Sequence, residues 1–109
     1  MKKQARQYRQ GDVFIVEVLS IPKQVKNIPL ENGKIVLAHG EATGHTHAID
    51  ASKLAVFVVN EQTQERFLQL KGMATLRHEE HSEIQLPAGN WQVIRQQEYT
   101  PRAWRTVAD

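Results

Sequence analysis

His45 and His47 flank Thr46, and His78 and His81 flank Glu79 and Glu80, so four of the chain's five histidines fall in two tight clusters. His39 stands six residues before the first cluster. The chain has no cysteine, so a transition-metal site must be built from imidazole and carboxylate, donors that suit zinc, iron, nickel and copper. A His-x-His spacing on a strand sends both rings to one face, because side chains alternate with period two. The spacing predicts a divalent transition metal, zinc or iron, held by His45, His47, His78 and His81. Glu79, Glu80 and Glu83 are nearby carboxylate candidates for the site, and Glu79 and Glu80, the candidate catalytic groups, or Glu41 would move protons if the metal activates water or a substrate. Three donors and an open position would make the site catalytic in type, and four closed donors would make it structural. An enzyme and a non-catalytic binding protein both fit this pattern.

Alternation ranks these histidines. Ile35, Leu37 and His39 share one face, which would carry His39 inward to the border of the site. His45, His47 and Ile49 share a face, as do Ala74, Leu76 and His78. His81 alternates with Glu83 and Gln85, opposite Ile84 and Leu86, so a regular strand would aim it outward. It reaches the metal only if Glu79 and Glu80 form a turn or bulge, as local irregularity near active sites does. His45, His47 and His78 are thus the core of the expected set, and His81 is its conditional member.

Two chemistries are excluded. The histidines at 78 and 81 are three apart, so they do not form the zinc-protease pair His-Glu-x-x-His. There is neither a Gly-x-Ser-x-Gly elbow nor a cysteine nucleophile, which argues against covalent acyl chemistry.

The elements that must position these residues read as strands. Residues 12–19 are rich in β-branched side chains and follow Gly11. Pro22 and Pro29 bracket an irregular or edge stretch. Asn32-Gly33 is a turn that feeds a strand over residues 34–39, and the loop from Gly40 to Gly44 leads into the next at 45–49. Further strands are expected over 54–60, 66–70, 74–78, 82–86 and 91–99, with a turn over 87–90. The segment over 54–59 is apolar on both faces and reads as an interior strand or a subunit interface. Thr100-Pro101 could cap a short helix through Val107. This pattern predicts an all-β fold, a single small antiparallel β-barrel or sandwich. The expected division is a basic N-terminal arm over 1–10, a β-barrel domain over 11–99 and a C-terminal tail or short helix over 100–109.

At 109 residues, with 40% hydrophobic and 24% charged residues, the chain suits one globular domain and is too apolar for a disordered one. No apolar run reaches the roughly 18 residues of a membrane span, and the basic start lacks the apolar segment of a signal peptide, so no membrane association and a cytoplasmic location are expected.

His45-x-His47, with Gly40 upstream and Leu86-Pro87-Ala88-Gly89 downstream, resembles the cupin family over roughly residues 34–95. Cupins are small β-barrels that bind a metal through a His-x-His pair, a glutamate and a histidine of a second, Pro-x-Gly motif. The resemblance implies such a barrel, with a rearranged site. Asp50 is the acid nearest the expected glutamate position, and Gln92 stands where the second-motif histidine would.

Two other functions are expected as alternatives to a metal site that takes a small anionic or polar ligand. One is a nucleic-acid-binding module using Lys2, Lys3, Arg6 and Arg9 at one end and Arg95, Arg102 and Arg105 at the other, with Tyr8, Trp91, Tyr99 and Trp104 for stacking. Aromatic content of only 6% and a segment from Glu31 to Glu83 that is not basic weigh against it, and Trp91 reads better as a core residue. The other is a homo-oligomeric assembly protein joined through Phe57 and its neighbours.

Overall fold

Two tight turns set the frame. Asn32 and Gly33 take φ values of 54° and 75°, the paired positive angles of a type I′ turn. Glu31 and Lys34 exchange both backbone hydrogen bonds across them, at 2.9 and 3.0 Å. Gly11, with φ of 60°, opens a second two-residue turn in which Gln10 pairs directly with Val13. Glycine followed by aspartate at these positions suits a type II′ hairpin.

The computed structural model describes residues 6–40 and 44–95. It contains β1 (Gln7–Gln10), β2 (Val13–Val18), β3 (Lys26–Asn27), β4 (Lys34–His39), β5 (Thr46–Asp50), β6 (Ala55–Val59), β7 (Arg66–Leu70), β8 (Ala74–Leu76), β9 (Ile84–Leu86) and β10 (Gly89–Arg95). All pairings are antiparallel. Among the described residues there is no helix, and so none long and apolar enough to cross a membrane. The all-β expectation holds.

Six strands form one sheet in the order β1-β2-β10-β7-β6-β3, while β4-β5 and β8-β9 are two-stranded ribbons. The ribbons are joined by a reciprocal backbone pair between Ala48 and Arg77, at 2.9 and 3.0 Å. Val13, Ile15, Leu68, Trp91 and Val93 of the sheet share one apolar core with Ile35, Leu37, Ile49, Leu76 and Leu86 of the ribbons. Burying each such large side chain contributes about 1.5–3 kcal/mol. The Arg66 guanidinium also donates to the Leu37 carbonyl at 2.6 Å, tying β7 to β4. The edge strands β1 and β3 do not pair with each other, so the described residues form no closed barrel.

Several expectations change in detail. The basic arm expected over residues 1–10 is a strand from Gln7 onward, because the Gly11-Asp12 turn folds it back onto β2. β8 and β9 are shorter than expected, leaving residues 77–83 as a connection outside the named strands. The expected turn over 87–90 is already strand from Gly89. Trp91 is fully buried and donates its indole N–H to the Pro87 carbonyl at 3.2 Å, as a core residue. The segment around Phe57 is an interior strand of the six-stranded sheet, between β7 and β3. The helix expected after Thr100, together with Lys2, Lys3, Glu41, Tyr99, Arg102, Trp104 and Arg105, lies outside the described residues.

Candidate metal centre

Gln10, the last residue of β1, is a polar side chain only 2% exposed. Its amide nitrogen donates to the carbonyls of Leu76 at 3.1 Å and Ser82 at 2.9 Å, at the two ends of the loop that joins β8 to β9. Both amide hydrogens are thereby used, so the amide oxygen is the acceptor facing His47 Nδ1 at 2.8 Å. His47 therefore donates from Nδ1, and its neutral ring keeps the lone pair on Nε2. A partner on one ring nitrogen that frees the other in this way is what orients a metal-binding histidine.

His47 sits on β5 and is 1% exposed. Burial, then the neighbouring His78, hold its pKa down from the ordinary 6.5 to about 4, against the opposing pull of Asp12. The ring is neutral at physiological pH. Around it the other imidazoles gather. The His78 ring lies 4.3 Å from His47 and 4.6 Å from His81, centre to centre, and 5.6 Å from His45. His81 stacks near-parallel to His47 at 6.0 Å. The loop between β8 and β9 leaves strand geometry after Leu76, and this meets the condition on which convergence of His81 depended. All four expected histidines belong to one cluster.

The donor atoms that all lie within 4.8 Å of one another belong to His45, His78 and Glu79. Glu79 Oε1 accepts the backbone N–H of Thr46 at 3.0 Å, which anchors the carboxylate at the start of β5. That bond first, then its own backbone N–H, hold the Glu79 carboxyl below the usual carboxylate range, with His45 and His78 adding to the effect. The Glu79 carboxylate is thereby held within 4.8 Å of ring nitrogens of His45 and His78. Glu80 is exposed, its Oε2 3.8 Å from His45 Nδ1. The Glu80 N–H donates to His78 Nδ1 at 3.0 Å, so a metal taking His78 must either displace this contact or move the ring proton from Nε2.

Two glycines make room for the rings. A Cβ on Gly40 would lie 2.9 Å from His45 Cβ and 3.2 Å from His78 Nε2. A Cβ on Gly11 would lie 2.7 Å from His81 Nε2 and 3.4 Å from His47 Cε1.

His39 is elsewhere. A register shift between Val36 and Ala38 leaves Leu37 and Ala38 both buried and turns His39 out to solvent, where its Nε2 meets Glu31 at 3.1 Å. The inward orientation expected for it is overturned by this bulge.

Sequence reasoning missed Gln10 and Asp12. Asp12 Oδ1 lies 3.6 Å from His47 Nε2, while Oδ2 accepts from Arg95 Nε at 3.0 Å. Asp12 reads as the first residue of a strand unless Gly11-Asp12 is recognised as a hairpin turn, the signal that could have found it. His78 and Glu79 also line a cleft of about 260 Å³, with Lys34, Arg77 and Asp50 on its wall.

No curated protein and no solved structure matches the chain. A family model described as a domain of unknown function, DUF8820, matches residues 9–96. That span takes in β2 to β10 and all five histidines. The chain belongs to the DUF8820 family.

Proposed function

We propose that this protein binds a divalent transition metal, zinc or iron, through His45, His78 and Glu79, within a cluster completed by His47 and His81. The observation that carries the proposal is the convergence of those three donors within 4.8 Å, drawn from the start of β5 and the loop after β8. Imidazole and carboxylate together suit both metals. Of these donors the His-x-His element of the cupin resemblance supports His45, and a cupin-like barrel is the finer fold that goes with it.

Three donors leave a coordination position open, the arrangement of a catalytic metal. One carboxylate offsets only half the charge of a divalent ion, so the open position favours a small anionic or polar ligand entering from the cleft beside Lys34 and Arg77. In an enzyme the metal would polarise that ligand or activate water. Glu80, exposed beside His45, is then the group positioned to exchange protons with solvent.

Elemental analysis of protein prepared without a histidine tag is the test. At least one equivalent of zinc or iron per chain is expected, and it is lost in His45→Ala and His78→Ala. Glu79→Gln weakens zinc binding by about tenfold or more, some 1.4 kcal/mol. Absence of bound metal after reconstitution with zinc and with ferrous iron would refute the proposal.

A further inference from the structure

Gln10 forms no hydrogen bond with His45, His78 or Glu79, yet its amide reaches both segments that carry them. His45 comes from the chain entering β5, and His78 and Glu79 come from the connection over residues 77–83. One group pins that connection at both ends. The Gln10 amide nitrogen donates to the Leu76 carbonyl before it at 3.1 Å and to the Ser82 carbonyl near its close at 2.9 Å. On the β5 side the amide oxygen accepts from His47 Nδ1 at 2.8 Å, and the His47 ring lies 4.3 Å from the ring of His78.

A polar side chain only 2% exposed is costly to bury unless its hydrogen bonds are made. An apolar residue of the same length would fill that space without the requirement. What the amide adds is geometry, because it fixes where the connection stands relative to β5. Donors already held at the spacing an ion needs bind it more tightly than donors that must first be gathered. Ordering a loose connection costs conformational entropy at the moment of binding. The other fastenings of this connection lie toward its entry. There Arg77 exchanges backbone hydrogen bonds with Ala48, and Glu79 Oε1 accepts the Thr46 N–H. Its exit, at Ser82, is held by Gln10.

We infer that Gln10 is a positioning residue of the metal centre, one that raises metal affinity through the 77–83 connection and His47 without contacting the ion. The inference rests on the metal proposal above and can fail while that proposal stands. Removing a group that orients ligands from outside the coordination sphere lowers metal affinity by about 10–100-fold. The coupling is also reciprocal. If the Gln10 clamp strengthens zinc binding by some factor, bound zinc must resist opening of the clamp by the same factor.

Calorimetric zinc titration of tag-free, chelator-stripped wild type and Gln10→Met tests this. Methionine matches glutamine in length and has no N–H to give. Zinc is expected to bind Gln10→Met about tenfold more weakly or worse, and the visible bands of the cobalt(II)-loaded variant should change with the altered donor geometry. A side chain that served folding alone would lower only the denaturant midpoint. Wild-type zinc affinity and cobalt bands in folded Gln10→Met would therefore overturn the inference and leave the metal proposal intact. A wild type that takes up no zinc would overturn both. If circular dichroism shows that Gln10→Met does not fold, hydrogen exchange at the Gln10 side-chain amide of the wild type, followed by NMR, decides instead. Saturating zinc is expected to slow that exchange about tenfold, and an unchanged rate would overturn the inference.

Discussion

His47 illustrates how a single side chain can tie pH to folding. Its pKa is about 4 in the folded chain and near 6.5 when unfolded. Between those values the unfolded chain takes up a proton that the native ring refuses, so stability rises with pH across the window. The contribution is fully present above pH 6.5 and is lost as pH falls toward 4. A difference of this size corresponds to roughly 3 kcal/mol. Urea unfolding of metal-free protein at a series of pH values should show that loss, and His47→Gln should flatten the dependence. An unchanged slope in the variant would place the pH sensitivity elsewhere.

At the scale of elements, the β1–β2 hairpin and the loop from β8 to β9 are fastened by one amide. Gln10→Ala strands the Leu76 and Ser82 carbonyls and the His47 Nδ1 hydrogen together. Leaving such groups unpaired should cost about 2–4 kcal/mol of unfolding free energy, measured by denaturant titration. This fastening was hidden from the sequence, because a glutamine after a basic run gives no sign that it is buried. What local pattern decides was legible. Asn32-Gly33 announces its hairpin, the strand alternation at His47 and Leu76 gives the inward faces, and the dependence of His81 on an irregular loop follows from its parity. What long-range packing decides was not. The bulge that expels His39 arises from the pairing of β4 with β5, and Asp12 meets His47 across 35 positions of chain.

For the whole molecule, the candidate centre lies where the large sheet and the ribbons meet. Gln10 and Asp12 come from the β1–β2 hairpin, and every histidine of the cluster comes from the ribbons or their connections. A metal held by His45, His78 and Glu79 would tie the β4–β5 ribbon to the β8–β9 connection, and the free energy of binding would add to that of folding. Zinc at a hundredfold excess over its dissociation constant adds about 2.7 kcal/mol, which should raise the thermal unfolding midpoint of a domain this size by roughly 10 °C. Chelator should reverse the rise, and His78→Ala should abolish it. A midpoint indifferent to zinc would count against the proposed site.

The Gly11-Asp12 turn constrains anyone who would re-engineer this scaffold. Judged as a hairpin alone, it invites replacement by Asn-Gly, which closes two-residue hairpins equally well. That exchange would push a side chain at position 11 into His81 and remove the carboxylate that faces His47. A library varied at these two positions and selected only for folding would therefore enrich stable proteins in which His81 is displaced and His47 has lost its carboxylate neighbour. The turn and the wall of the histidine cluster are here the same two residues, and they have to be optimised as one.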